Sequence, residues 1–545
     1  MPDRQAFCTT GPEAGSDLFH RNPAGNVMKS YNLLDEPWLP VRYADGQVKE
    51  VGLLQLFANA DQISALAETA PPSLIALYRL LLAIVHRAFT RKFGTWTARD
   101  MARCYREGLP VDVIHEYLEH WRERFYVFHP EWPFMQVAAL AEAEETRAKS
   151  KSWTQIALAS SNGNAPVLFD HAVDTQATRL PVAQLMCQLL GFLQYTPGGL
   201  VKTIRDSDKA GALANTAAAL PVGETLAQSL CLALHPAKPD SDADLPAWEK
   251  PQPNIATLRS EPTLVTGPND RYTRLSRAVL LLPDDENGEA VSQLRFAAGL
   301  ALADDEHTPD SMASYRAGSV GMVRLGFTEG RAVWRDLPTF LPDASGKHAL
   351  PAAVLGYAYQ VLRSLGEDSG WLSVMVLGLA SDQAKLLRWR VERFALPQRL
   401  LAQEVVAEEL REYLREGEEL YGNFRKTASI MLAKAMPDPD HKDTRGRART
   451  VLDNGPTAAA YFSTLESRLP QLLDLIADKQ LDAADTHWRA ARLAAAELAW
   501  ATVCRQLGDS ARALRARAQS EPFYLGLLKP LRPDTESQPE EPSHV

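Results

Sequence analysis

Cysteine is scarce and scattered. The five residues, Cys8, Cys104, Cys187, Cys231 and Cys504, form no CxxC pair and no other metal-ligand spacing. A disulfide framework and a cysteine zinc site are thereby excluded, and the pattern fits a reducing cytoplasm. No run of about 18 or more apolar residues is present, so no membrane span is expected. The usual enzymatic signatures are also missing: there is no GxxxxGK[ST], no GxGxxG opening a helix and no GxSxG elbow. Nor is there an excess of positive charge. The formal net charge is −10, which argues against a chain that coats itself in nucleic acid. It leaves room for a local basic surface, or for partners that neutralise most of the phosphate.

What is present is a chain of 545 residues, too long for one core, with 46% hydrophobic and 23% charged residues. Residues 1–27 are polar and rich in Gly and Pro, without the apolar core of a signal peptide. They are expected to be a disordered extension, with Met28 as the natural start. From 28 to 398 the pattern is mixed. Strand-like runs at Val48–Leu53, Ala278–Leu282, Leu294–Leu302 and Gly321–Phe327 alternate with helical stretches. Those stretches are Leu54–Ala67, Leu74–Phe89, Pro110–Arg122, Val182–Gln194 and Pro351–Leu365. Leu74–Phe89 contains Arg79 and His86 and reads as a buried helix, with Ser73 able to cap it. Polar, proline-rich connectors lie at 236–253 and 283–290. The implied fold is an irregular, large N-terminal α/β domain without regular βα alternation. Residues 399–529 then carry amphipathic helical stretches, including Gly422–Ala435, Pro456–Ala477 and Ala483–Leu507, which suggest a four-helix bundle. The tail from Pro530 is rich in Pro, Glu and Ser and is expected to be disordered.

Chemistry is sparse. His115-Glu116-x-x-x-His120 has one residue more than a zinc-protease motif, and two histidines five apart on a helix point about 140° apart. Acidic runs such as Asp304-Asp305-Glu306 read as solvated. No catalytic constellation, metal site or cofactor is expected. Basic clusters say more. His441 to Arg449 reads as a flexible loop carrying Lys442, Arg445, Arg447 and Arg449. It is either simply solvated or a phosphate-contacting edge that positions DNA without reading it. Arg512, Arg515 and Arg517 follow. Lys385, Arg388, Arg390 and Arg393, interleaved with Leu386, Leu387 and Trp389, could form one helix with a basic face.

The segment Asn32-Leu33-Leu34-Asp35-Glu36-Pro37-Trp38-Leu39-Pro40-Val41 reads physically as a turn entering a strand, with Trp38 in the core. It strongly resembles the opening signature of the CasA family, the large subunit of the type I-E CRISPR surveillance complex Cascade. Further islands match in the family's order: Trp132–Gln136, Ser160–Asn164 leading to Leu168–His171, Tyr195–Gly199, and Ser381-Asp382-Gln383. The resemblance implies a subunit that is not an enzyme. It would recognise the protospacer-adjacent motif (PAM) in double-stranded DNA, start strand separation for the guide RNA, and recruit a trans-acting helicase-nuclease. Its other partners would be the remaining Cascade subunits, in the cytoplasm. Residue by residue, the resemblance places Asn164, Phe169, Asp170 and His171 on a loop toward the guide RNA handle and the PAM. It places Gly198 and Gly199 in a glycine loop whose backbone approaches the PAM minor groove, where a side chain would obstruct. Lys202 follows at phosphate distance. Asp382 and Gln383 stand where the family carries a glutamine wedge that splits the first base pair. Two departures are visible. Leu294–Asp304 has Arg295 but none of the family's lysine finger. Asp382 replaces a familiar asparagine.

Overall fold

A computed structural model describes residues 31–158, 178–199, 201–237, 243–285, 287–303, 309–319, 321–343, 345–366, 370–382, 385–402 and 404–532, together with a short antiparallel pair of His20–Arg21 with Val27–Met28. The architecture is mixed α/β with a C-terminal helical region. Two compact units interleave along the chain. The first comprises Met1–Asn215, Gly223–Asp310 and Gly378–Trp389. The second comprises Thr216–Val222, Ser311–Leu377 and Arg390–Val545, and contains the whole bundle.

The first unit is organised around the helix Pro71–Phe93. Residues 71–90 are buried on every face. Ser73 does not cap it: the chain enters through Ala70 and Pro71, and Glu68 accepts the Ala70 N–H at 2.8 Å. Pro at the first helical turn loses no hydrogen bond and pre-sets φ. By length and composition this helix could cross a membrane. It is instead buried inside the unit, where Arg79 and Arg87 find charged partners. Arg79, fully buried, donates to Gln194 at 2.8 Å, pairs with Asp310 and lies over the Tyr272 ring. Arg87 is bidentate to Glu249 at 2.8 and 2.9 Å. Glu249 and the buried Trp248 belong to the proline-rich stretch expected as a connector, so at 247–249 that stretch packs into the core.

The Asn32–Val41 segment is structural, as its composition suggests. The Trp38 indole, 1% exposed, donates to Leu33 O at 3.0 Å, and the Asn32 side chain accepts the Leu34 N–H. Leu39–Tyr43 then pairs antiparallel with Val48–Val51 and with Ile63–Leu66. The last strand corrects the helix expected over Leu54–Ala67. Only Leu53–Ala58 is helical, because pairing with Leu39–Tyr43 overrides the local preference of an Ala- and Leu-rich stretch. A second sheet pairs Arg277–Pro283 with Ala290–Ala298. The latter strand also pairs with Lys151–Ser152 and Leu180–Pro181.

In a further sheet, Trp371–Asp382 lies between Ala218–Val222 and Lys385–Pro397. The basic stretch from Lys385 is thus a strand and not a helix: alternation with period two, and not a basic helical face, distributes its residues. The bundle is built from Glu404–Ala435, Thr457–Ala477, Leu481–Leu507 and Ala511–Leu528, with a shorter helix at Lys442–Asp453. Gly422–Ala435 is not a helix of its own but the C-terminal part of the 32-residue helix Glu404–Ala435. A 3-10 turn at Lys529–Leu531 carries order slightly past the expected start of the tail.

One buried group sets a pH dependence. His86 is 0% exposed, stacks on His235 with centroids 3.9 Å apart, and faces the Asn269 amide at 2.8 Å. Burial pushes its pKa well below the ordinary histidine value, with His235 and Arg87 adding to the effect. The unfolded chain then binds a proton that the folded chain refuses, so the contribution is complete above about pH 6.5 and is lost as pH falls below it. Urea unfolding between about pH 7.5 and about pH 5 should show stability declining by up to about 1.4 kcal/mol per unit from this group. His86→Asn should flatten the decline by one proton's share; an unchanged slope would contradict the assignment.

Candidate nucleic-acid interface

The helix Val182–Tyr195 ends in Thr196, and the chain then leaves the core through Pro197, Gly198 and Gly199, all exposed. It returns at Asp208. Gly199 and Asp208 exchange both backbone hydrogen bonds, at 3.1 and 2.9 Å, and so close the loop. Inside the closure lies a buried ion pair. The Asp208 carboxylate is 2.8 Å from Arg277, with side chains 0% and 2% exposed. Asp208 also accepts from Gly299 N at 3.1 Å and Lys209 N at 2.9 Å. Burial drives the Asp208 pKa up and the Arg277 pKa down, each opposed by the charge of the other. Arg277 spends its remaining donors on backbone: Lys209 O at 2.7 Å, Ser276 O at 2.8 Å and Pro197 O at 2.6 Å. Both stems of the loop are therefore tied to one guanidinium. Within the loop Ile204 has φ of 74°, a conformation that a β-branched residue keeps only when its surroundings impose it.

The two glycines differ. A Cβ on Gly198 would sit 3.3 Å from Ala210 N, a tight fit. A Cβ on Gly199 would meet nothing within 4 Å, and its φ is not in the left-handed region. The fold itself does not require glycine at 199. Lys202 and Lys209 are exposed on the loop, and neither is in an ion pair with a described residue. The family resemblance names Gly198, Gly199 and Lys202; Lys209, Asp208 and Arg277, which the fold brings to the same loop, it does not name. A Lys seven residues after Lys202 was a weak local signal. Arg277 gave none, since its partners lie 68 and 80 residues away.

Asn164, Phe169, Asp170 and His171 lie outside the described residues, as does Gln383. The frame around them is defined. The Trp153 indole donates to Thr178 O at 2.8 Å. The strands on either side of 159–177 pair with neighbouring positions of Ala290–Ala298. Asp382 ends the strand before Gln383, and Lys385 opens the next. Arg295 donates to Arg147 O at 3.1 Å. Trp132–Gln136 is a structural island: Gln136 donates to Val127 O at 2.8 Å and accepts from Leu281 N at 2.8 Å.

In the bundle, the expected loop His441–Arg449 is a helix, Lys442–Asp453, capped by His441, whose ring accepts the Asp443 N–H at 3.3 Å. Thr444, Ala448 and Leu452 form its buried stripe at a spacing of four, and this apolar period is what makes a helix of an otherwise polar segment. Helical geometry puts Lys442, Arg445 and Arg449 on one exposed side and turns Arg447 away from them. Arg445 pairs with Asp440 at 2.9 Å; the other three are in no ion pair with a described residue. Separately, Arg512 and Arg515 line a groove with Lys434 and the Met436–Pro439 turn.

The near-miss zinc motif comes apart in three dimensions. The His115 ring donates to Leu54 O at 2.9 Å, Glu116 binds Lys92 at 2.9 Å, and His120 lies against Trp121. Among the described residues no three His, Cys, Asp or Glu side chains gather as a metal cage.

Against this geometry, comparisons with known proteins agree. A family model described as CRISPR-associated protein Cse1 matches residues 32–506. A CRISPR-associated protein CasA/Cse1 of Thermus thermophilus is 33% identical over 516 residues, 92% of this chain and 98% of its own length. The crystal structure of Thermus thermophilus CasA superposes with a TM-score of 0.79 at 30% identity, covering 92% of this chain and 99% of that one. A chain of a CRISPR RNA-guided surveillance complex shares the fold, with a TM-score of 0.69 at 20% identity over 91% of this chain and 100% of that one.

The glycine geometry makes a testable contrast. Gly199→Ala should change the stability of the isolated chain by no more than about 0.5 kcal/mol, the usual range for open surface sites. Gly211→Ala, whose Cβ would fall 2.5 Å from Gln194 O, should be strongly destabilising. Thermal melts of both variants check this; an equal loss at Gly199 would show that the fold does demand glycine there.

Proposed function

The chain belongs to the CRISPR-associated Cse1 (CasA) family, and on that premise we propose that it is the large subunit of a type I-E surveillance complex and recognises the PAM in double-stranded DNA. The observation that carries the reading is Gly199, a glycine that the fold does not need, on an exposed loop that also carries Lys202 and Lys209, neither in an ion pair with a described residue. A backbone without a side chain suits close approach to a minor groove, where base information is degenerate and tolerant reading is expected. Lys202 and Lys209 would meet the phosphates on either side. Gln383, at the junction between two hydrogen-bonded strands, would serve as the wedge. It opens the first pair at a cost of about a few kcal/mol, which guide pairing recovers. The loop bearing Asn164, Phe169, Asp170 and His171 would face the guide RNA.

The helical bundle would hold DNA through Lys442, Arg445 and Arg449, with Arg447 apart from them, giving affinity without sequence information. Cleavage would belong to a recruited helicase-nuclease, with this chain acting as a binding subunit and not an enzyme. The described cysteines, Cys104, Cys187, Cys231 and Cys504, are all free thiols, which supports a cytoplasmic setting.

In the complex reconstituted with guide RNA, Gly199→Asp should abolish R-loop formation on a closed PAM duplex, because it adds bulk and negative charge at the groove. Gln383→Ala should slow R-loop formation and leave PAM binding intact. Normal R-loop kinetics in both variants would leave only a scaffold role. A Lys442→Ala/Arg445→Ala/Arg449→Ala variant should weaken binding uniformly across sequences. It should also reduce the slope of log K against log salt by about 0.9 for each phosphate that is no longer neutralised. An unchanged slope would mean that this helix face does not touch DNA.

A further inference from the structure

We infer that Arg277 is a positioning residue for PAM recognition, holding both stems of the glycine loop at the height from which Gly199 meets DNA. The inference rests on the reading of that loop as the PAM reader and adds what sets its geometry. Among the described residues the loop contributes no side-chain hydrogen bond to its outgoing stem. Pro197 presents only its carbonyl oxygen, which Arg277 Nη2 takes at 2.6 Å. On the return stem Arg277 Nη1 donates to the Lys209 carbonyl oxygen at 2.7 Å and forms an ion pair with the Asp208 carboxylate at 2.8 Å. Arg277 itself opens the strand Arg277–Pro283, whose register against Ala290–Ala298 fixes its backbone. Asp208 is fixed from a second direction by Gly299 N, so the pair links the loop to two neighbouring segments of the same sheet region.

The chemistry explains why arginine stands there. A planar fork can donate along diverging directions to carbonyls on both stems while its charge meets a carboxylate; an ammonium is a single point and cannot span them. A buried ion pair is a poor way to gain stability, since desolvation offsets much of the attraction. Its use here is to specify one loop position. That position matters because Gly199, with open space where a side chain would lie, is held through its backbone pair with Asp208, so whatever places Asp208 places Gly199.

The test uses the full chain in reconstituted complexes, with wild type, Arg277→Lys, the charge-free pair Arg277→Met/Asp208→Asn, and Gly199→Asp. Each is assayed for R-loop formation on a closed duplex with the PAM, on a closed duplex with a scrambled PAM, and on a target already unpaired beside the PAM. Arg277→Lys should assemble and should match wild type on the unpaired target. On closed duplexes its preference for the PAM should fall at least about tenfold. If Arg277→Lys does not fold, the charge-free pair, which leaves no buried charge unpaired, should show the same split. A folded variant that keeps full discrimination overturns the inference, as does equal loss on all three targets. If Gly199→Asp is also without effect, the reading of the loop itself fails; if Gly199→Asp acts and the Arg277 variants do not, only the positioning role falls.

Discussion

A guanidinium is charged at every physiological pH and carries five N–H donors, so it can be buried only where acceptors are already set in place by the fold. The first unit meets this constraint repeatedly. Arg79 rests on Asp310, Gln194 and the Tyr272 ring; Arg87 on Glu249; Arg274 on Asp270 and the Ala301 carbonyl; Arg277 on Asp208 and three carbonyls. Each arginine joins segments far apart in sequence. These pairs fix which loops leave the core, and where. The glycine loop is the clearest consequence, because two of its own carbonyls are among the acceptors that Arg277 requires.

Much of the fold was legible because local pattern and tertiary environment agree. The buried helix Pro71–Phe93 announced itself by apolar repeats, and Val182–Tyr195 by the same means. The strands at Val48, Arg277 and Gly321 fell close to where β-branched and aliphatic residues cluster. Reading failed where long-range pairing decides. Ile63–Leu66 has no strand signature of its own and is a strand because Leu39–Tyr43 lies beside it. Lys385–Pro397 looks helical until its pairing with Trp371–Asp382 is known. His441–Arg449 looked like a loop because Gly446 and four cations mask a sparse apolar stripe of Thr444, Ala448 and Leu452.

The candidate site was half legible, for related reasons. Gly198, Gly199 and Lys202 were named through the resemblance to the CasA family, which singles out a glycine loop at that place. The groups that make the loop a defined object could not be. Arg277 and Asp208 are ordinary residues in sequence and acquire meaning only through contacts across 68 to 80 residues. The opening Asn32–Val41 segment shows the reverse: it resembles the family signature most strongly, and its Trp38 is sealed in the core. Sequence signatures that name a family need not be the residues that carry out its work.

The central claim is that the Gly198–Lys209 loop faces the PAM duplex. Replacing Lys202 with a photo-crosslinking amino acid, in the complex assembled with guide RNA and bound to a PAM duplex, reads that placement directly. Crosslinks should map to nucleotides of the PAM and the backbone immediately beside it. Crosslinks confined to guide RNA, to a neighbouring subunit, or to DNA remote from the PAM would contradict it.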